Sequence, residues 1–117
     1  QLGHGDTTNR TLPTQISGLS GIVAVEAAYS TVVALKGDGT VWAWGANGAG
    51  QCGDGTTSTR TAPVQCLNLS GIVAISEGNG NGMALKNDGT LWMWGVNSDY
   101  KLGDGTTTHR PTPFMMP

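Results

Sequence analysis

The sequence has few charged residues and no run of basic ones. Only 12% of its 117 residues are charged, and six Lys and Arg stand against eight Asp and Glu, for a formal net charge of -2. Proteins that bind nucleic acid neutralise phosphates with clustered Lys and Arg. We therefore expect no nucleic-acid partner.

Long apolar runs are also lacking. The uncharged stretch from Leu12 to Val25 is interrupted by Pro13, Ser17 and Gly18, which makes it too polar to cross a membrane. No basic segment followed by an apolar one opens the sequence, so no signal peptide is predicted. We expect no membrane partner, and the residues alone leave the compartment unknown.

What is abundant is glycine, with 19 residues, together with Val, Thr and four Trp. β-branched and aromatic residues favour strands, and Gly favours the turns between them. The composition therefore predicts an all-β protein.

A repeat of fifty residues organises the chain. Residues 1–50 align without a gap on residues 51–100, with about half of the positions identical, and residues 101–117 restart the pattern. Each full copy contains three segments of strand length, which in the first copy are 22–26, 32–36 and 41–44, and we expect 14–16 to form a short fourth strand. A unit of about four antiparallel strands at this period is typical of a propeller blade. We predict one domain over residues 1–117, a partial β-propeller of roughly two blades with repeats 1–50 and 51–100 and a partial repeat 101–117.

The turn between the second and third strands has a clear signature. Gly37-Asp38-Gly39-Thr40 recurs as Asn87-Asp88-Gly89-Thr90, which predicts a tight antiparallel hairpin. In the strand that follows, Trp42 and Trp44 are two residues apart and share one face, where they can pack against a neighbouring sheet.

Residues 39–47 (Gly-Thr-Val-Trp-Ala-Trp-Gly-Ala-Asn) and 50–55 (Gly-Gln-Cys-Gly-Asp-Gly) resemble the repeat of the regulator of chromosome condensation family. The resemblance covers essentially the whole chain. It implies a propeller of about seven blades, so that this chain is either a fragment of a larger propeller or one that closes a propeller by oligomerisation. The Thr-rich loops resemble bacterial members, which favours an extracellular or cell-surface location over a cytoplasmic one.

The resemblance implies a non-catalytic repeat module for protein-protein binding or scaffolding, with a protein partner of unknown identity. The alternative is a guanine-nucleotide exchange factor for a small GTPase, an activity that some relatives have. Open end blades also expose strand faces and edges, so self-association is a further expectation.

No residue pattern indicates catalysis, a metal site or a cofactor site. Asp38, Asp54, Asp88 and Asp104 each precede Gly, and turn capping by a short carboxylate explains them better than a calcium loop does. The two histidines occupy different repeat positions, and no nucleophile signature occurs. We expect a protein that is not an enzyme and has no cofactor. Arg10, Arg60 and Arg110 recur at one position, where we expect each guanidinium to bind backbone carbonyls of a loop.

Cys52 and Cys66 stand at positions that are apolar in the other copies, which predicts that both are buried. The spacing allows a disulfide that fastens one loop, and it equally allows two small thiols in the core. The residues do not decide between them.

The copies differ most where the scaffold does not dictate the residue. Segment 26–32 differs throughout from segment 76–82, and 48–50 differs from 98–100. Variable loops on a rigid scaffold often carry binding residues, although neutral drift explains the difference as well. The candidate protein-binding residues are Tyr29, Ser30, Thr31, Glu77, Asn79, Asn81, Asp99 and Tyr100.

Overall fold

The computed structural model describes residues 1–117 as two four-stranded antiparallel sheets without a helix. The first sheet contains β1 (Ile22–Ala28), β2 (Thr31–Lys36), β3 (Val41–Gly45) and β4 (Arg60–Gln65) in that order. The second contains β5 (Ile72–Gly78), β6 (Asn81–Lys86), β7 (Leu91–Gly95) and β8 (Arg110–Met115). Two propeller blades of four strands each, as predicted, make up the fold. The structure contains no helix that is long and apolar enough to span a membrane.

The predicted hairpins join the second and third strands of each blade. Ala34 pairs with Trp42, and the turn is closed by Asp38, whose Oδ1 accepts hydrogen bonds from Thr40 N at 3.0 Å and Thr40 Oγ1 at 2.6 Å. These bonds, the hydroxyl's first, lower the pKa of the Asp38 carboxyl. Asp88 and Thr90 repeat the arrangement. The carboxylates thus act as turn caps.

The fourth strand of the first blade comes from the next sequence repeat, and the prediction of a strand at 14–16 is wrong. Those residues have no strand structure, whereas the corresponding part of the second copy ends β4. β4 pairs with the Trp-bearing β3 of the repeat before it. Residues 14–16 belong to neither of the two sheets, so their backbone is not paired with a strand. The blades, at 22–65 and 72–115, are consequently offset from the sequence repeats.

The core lies between the two sheets. Paired residues of antiparallel strands point to the same side, so Val33, Leu35, Val41 and Ala43 form one face of the first sheet, and all four are buried. They pack in one cluster with Trp94 of the second sheet, which is fully buried. For Trp94 of the second blade, this confirms the prediction that the tryptophan strand packs against a neighbouring sheet.

Candidate functional site

The segments that differ between the copies lie at one end of the blades. Ala46 N donates to Ser30 O at 2.8 Å, and Val96 N donates to Gly80 O at 2.9 Å, so the first turn of each blade meets the loop that leaves its third strand. We call this end the loop face, formed by residues 29–30, 46–59, 79–81 and 96–109. The hairpin turns at 37–40 and 87–90 lie at the opposite end.

A buried asparagine anchors each long loop of the loop face. Asn47 Nδ2 donates to Thr56 O at 3.1 Å and to Ser58 O at 2.9 Å, and Asn47 Oδ1 accepts from Cys52 N at 2.8 Å. Asn97 makes the same set of bonds fifty residues later. Sequence reasoning did not assign this role, although the recurrence of Asn after Trp-Gly in both copies was its signal.

The recurring arginines bind carboxylates, which corrects the expectation that they bind backbone carbonyls. Arg60 Nε donates to Asp54 Oδ2 at 2.6 Å, and Arg110 forms the equivalent ion pair with Asp104 at 2.7 Å. Burial opposes ionisation of Asp54, but the donors of Thr56, then Arg60 and Asn47, outweigh it and lower the pKa of that carboxyl. A carboxylate is the stronger acceptor for a guanidinium, because the bond is charge-assisted. These ionised groups fasten the loop.

Two exposed tyrosines stand on the loop face in left-handed backbone conformations. Tyr29 has φ 53° and is 88% exposed, and Tyr100 has φ 58° and is 64% exposed. The other copy has Asn79 at the position of Tyr29 and Gly50 at the position of Tyr100, also with positive φ. Asn and Gly tolerate this region, whereas a bulky side chain there is strained. The backbone therefore does not favour tyrosine at either position.

The polar candidates divide into surface and buried groups. Asn79 and Asp99 are exposed, Ser30 and Asn81 are partly exposed, and Asp99 lies 3.5 Å from Lys101 Nζ. Thr31 is buried, and its Oγ1 donates to Ala46 O at 2.9 Å. The side chain of Thr31 thus connects β2 to the loop that follows β3.

Glu77 is the second buried candidate, and it lies between the blades. Only 9% of the residue is exposed, and neither carboxylate oxygen has a hydrogen-bond partner. Burial raises the pKa of the Glu77 carboxyl to about 7. The first blade has Ala27 at the equivalent position. This isolation could not be read from the sequence, because it depends on which sheet covers β5.

The two cysteines are free buried thiols in this structure. Cys66 Sγ donates to Cys52 O at 3.2 Å. Burial raises the pKa of the Cys52 thiol to about 12 and raises the pKa of Cys66 as well. Both thiols are therefore protonated and poorly nucleophilic at neutral pH. The side chains bring together no group of three or more His, Cys, Asp or Glu that could hold a metal ion.

Comparison with known protein families identifies repeats of one family along the chain. A family model described as regulator of chromosome condensation (RCC1) repeat matches residues 1–35, 38–85 and 88–117, and a second model of the same description matches residues 22–51.

Solved structures share the fold. Human WBSCR16 is 22% identical with a TM-score of 0.75, and Prp20p from Saccharomyces cerevisiae is 16% identical with a TM-score of 0.76; each match covers 89% of this chain and 27% of the other. Yeast RCC1 (Prp20), solved with Kap60 bound, is 22% identical with a TM-score of 0.67, over 91% of this chain and 24% of the other. The chain spans about a quarter of the length of these solved chains.

Proposed function

The chain belongs to the regulator of chromosome condensation (RCC1) repeat family, and we propose on that premise that its two blades are a non-catalytic module that binds another protein through the loop face. The residues that make contact are Tyr29, Ser30, Asn79, Asn81, Asp99 and Tyr100. Thr31 and Glu77 are buried and do not touch the partner, and Thr31 connects β2 to the loop that follows β3.

The observation that carries the proposal is the backbone conformation of the two tyrosines. A left-handed conformation costs a bulky residue about 1 kcal/mol relative to Gly. Neither side chain repays this cost by packing in the core, since both are mostly exposed. Rigid, exposed aromatic side chains are common anchors of protein interfaces. Contact with a partner supplies the reason for keeping tyrosine at two positions that suit Asn and Gly.

The solved relatives favour a protein as the class of partner. The Prp20p structure is described together with its binding to Gsp1p and histones, and the other yeast structure contains Kap60. These partners are properties of those longer proteins, of which this chain spans only a part. Nucleotide exchange on a small GTPase stays a prediction from the family, and no feature of the loop face favours it.

The test replaces each tyrosine with the residue that the other copy carries. We expect Tyr29→Asn combined with Tyr100→Gly to reduce partner binding at least tenfold while leaving the melting temperature unchanged or higher. A pull-down with the immobilised chain, followed by titration of each retained protein, measures this loss. Asn87→Gly is the matched control, because Asn87 is exposed in the hairpin turn at the opposite end and the first copy carries Gly37 there. Equal retention of every bound protein by all three chains would contradict the proposal.

A further inference from the structure

Asparagine stands directly before glycine three times in the chain, at residues 47–48, 79–80 and 81–82. An Asn-Gly pair is prone to lose the asparagine amide, because glycine has no side chain to hinder the attack of its own backbone nitrogen on the amide carbon. The attack closes a five-membered ring and requires the backbone between the two residues to rotate. The local structure of each pair therefore decides whether it reacts.

The first pair is held inside the loop that follows β3. Asn47 is fully buried, and its Nδ2 donates to Thr56 O and Ser58 O. Its Oδ1 accepts from Cys52 N at 2.8 Å. Both heteroatoms of this amide are thus bonded, and the reaction would require the loop to open. We expect Asn47 to keep its amide in the folded protein.

The third pair lies within the central strand β6. Asn81 pairs with Gly78 of β5 and with Gly95 of β7. A Cβ at Gly82 would meet the ring of Trp94, which leaves the backbone of Gly82 little room to rotate. Ring closure at Asn81 would break the pairing of the strand on both sides. We expect Asn81 to be protected as well.

The second pair is free of these restraints. Asn79 and Gly80 form the two-residue turn between β5 and β6, with φ 51° and 82°. The side chain of Asn79 is exposed, and the peptide unit between Asn79 and Gly80 forms no backbone hydrogen bond. Gly80 O accepts from Val96 N at 2.9 Å, but this bond holds the peptide unit after Gly80. The nitrogen that would attack is therefore unbonded.

We propose that Asn79 is a modification site, at which the backbone nitrogen of Gly80 displaces ammonia from the side-chain amide. The nitrogen loses its proton to solvent and bonds to Cγ of Asn79. The bond between Cγ and Nδ2 breaks, and Nδ2 takes up a proton and leaves as ammonia. Water then opens the ring at either carbonyl, which gives aspartate in the normal linkage or isoaspartate linked through its side chain.

The product differs from asparagine in charge and in shape. Either form places a carboxylate on the loop face. Isoaspartate also adds one carbon to the backbone of a two-residue turn, whose length sets the register of β5 against β6. Because Asn79 is one of the proposed contact residues, we expect the modification to weaken partner binding. That consequence rests on the proposed function, whereas the modification site does not.

The experiment compares the three pairs in the same chain. The whole chain is kept at pH 8, either folded or unfolded in urea, and tandem mass spectrometry locates each amide loss after digestion. Urea removes the structure, so all three pairs should then react at similar rates. In the folded chain Asn79 should react at least about tenfold faster than Asn47 or Asn81, a ratio that about 1.4 kcal/mol of local opening produces.

Two variants and one further measurement test the route. Asn79→Gln should abolish the reaction at this turn, because a glutamine amide lies one carbon too far for the five-membered ring. Asn81→Gln is the matched control and should leave the rate at Asn79 unchanged. Enzymatic methylation of isoaspartyl carboxyls should label the aged wild type and not Asn79→Gln, since only the ring intermediate gives isoaspartate.

Three results would overturn the proposal. The first is a rate at Asn81 or Asn47 in the folded chain that equals the rate at Asn79. The second is a folded chain in which Asn79 keeps its amide while the unfolded chain loses it. The third is aspartate at residue 79 without isoaspartate, which would show hydrolysis by water instead of attack by Gly80. Unchanged partner binding by the modified chain would contradict only the contact assigned to Asn79.

Discussion

The isolated carboxylate of Glu77 predicts that the protein loses stability as the pH rises towards neutrality. In the folded chain the pKa of Glu77 is about 7, against an ordinary value of 4.5. Between these two values the folded state holds a proton that the unfolded state has released, so each increase in pH favours unfolding. The loss begins near pH 4.5 and is complete just above pH 7.

The size of the effect follows from the shift. A difference of one pKa unit corresponds to about 1.4 kcal/mol, so the shift of Glu77 amounts to about 3 kcal/mol across the interval. That is a large share of the stability of a small domain, which is typically about 5–15 kcal/mol. Burial is the cause of this shift, and the thiols of Cys52 and Cys66 are protonated and therefore uncharged throughout this range. They do not offset the loss.

The assay compares the wild type with Glu77→Gln by urea unfolding between pH 4.5 and 8, followed by tryptophan fluorescence. The amide does not titrate, so the difference in the free energy of unfolding should change by about 3 kcal/mol in favour of Glu77→Gln as the pH rises. Glu77→Ala should behave alike, because Ala27 holds this position in the first blade. Glu26→Gln is the matched control, since Glu26 is exposed. A constant difference between wild type and Glu77→Gln over the whole range would refute the reasoning.

Three further predictions concern the scaffold. Asn47→Ala should lower the free energy of unfolding by about 2–4 kcal/mol, because it leaves several loop groups without hydrogen-bond partners; a loss no larger than that of an exposed Asn→Ala change would contradict the anchoring role. Gly82→Ala should lower the free energy of unfolding by about 1–3 kcal/mol, because the added Cβ would meet the ring of Trp94. Gly48→Ala is the control, since a Cβ there meets nothing within 4 Å, and it should be nearly neutral in the same denaturation assay. Both cysteines should resist alkylation at pH 8 in the native state and react in urea, as measured by mass spectrometry, since burial keeps them protonated; rapid native labelling would show that the core opens.

Much of the fold could be predicted from local pattern. The strand segments, the hairpins at Asp38 and Asp88 and the stacking of the tryptophan strand follow from residue spacing and turn chemistry, which act over a few neighbouring residues. The prediction of a strand at 14–16 was wrong because a strand needs a neighbouring strand to hydrogen-bond with, and local pattern does not show whether one is present. The recurrence of Arg10, Arg60 and Arg110 was recognised, but the carboxylate acceptor was not, because Asp54 meets Arg60 through a loop that Asn47 anchors.

The candidate site likewise combines features that local pattern predicts with features that depend on distant contacts. Exposure of Tyr29 and Tyr100 agrees with their place in variable loops, whereas the burial of Thr31 and Glu77 in those same loops depends on contacts made by other segments.

The sequence by itself determined the repeat, the all-β class and the turns, because hydrophobic alternation and glycine placement are local and recur every fifty residues. Only the tertiary structure decided which repeat completes each blade and which carboxylate is left without a partner. These features depend on contacts between segments that are far apart in the sequence, because a residue is buried only when such a segment packs over it.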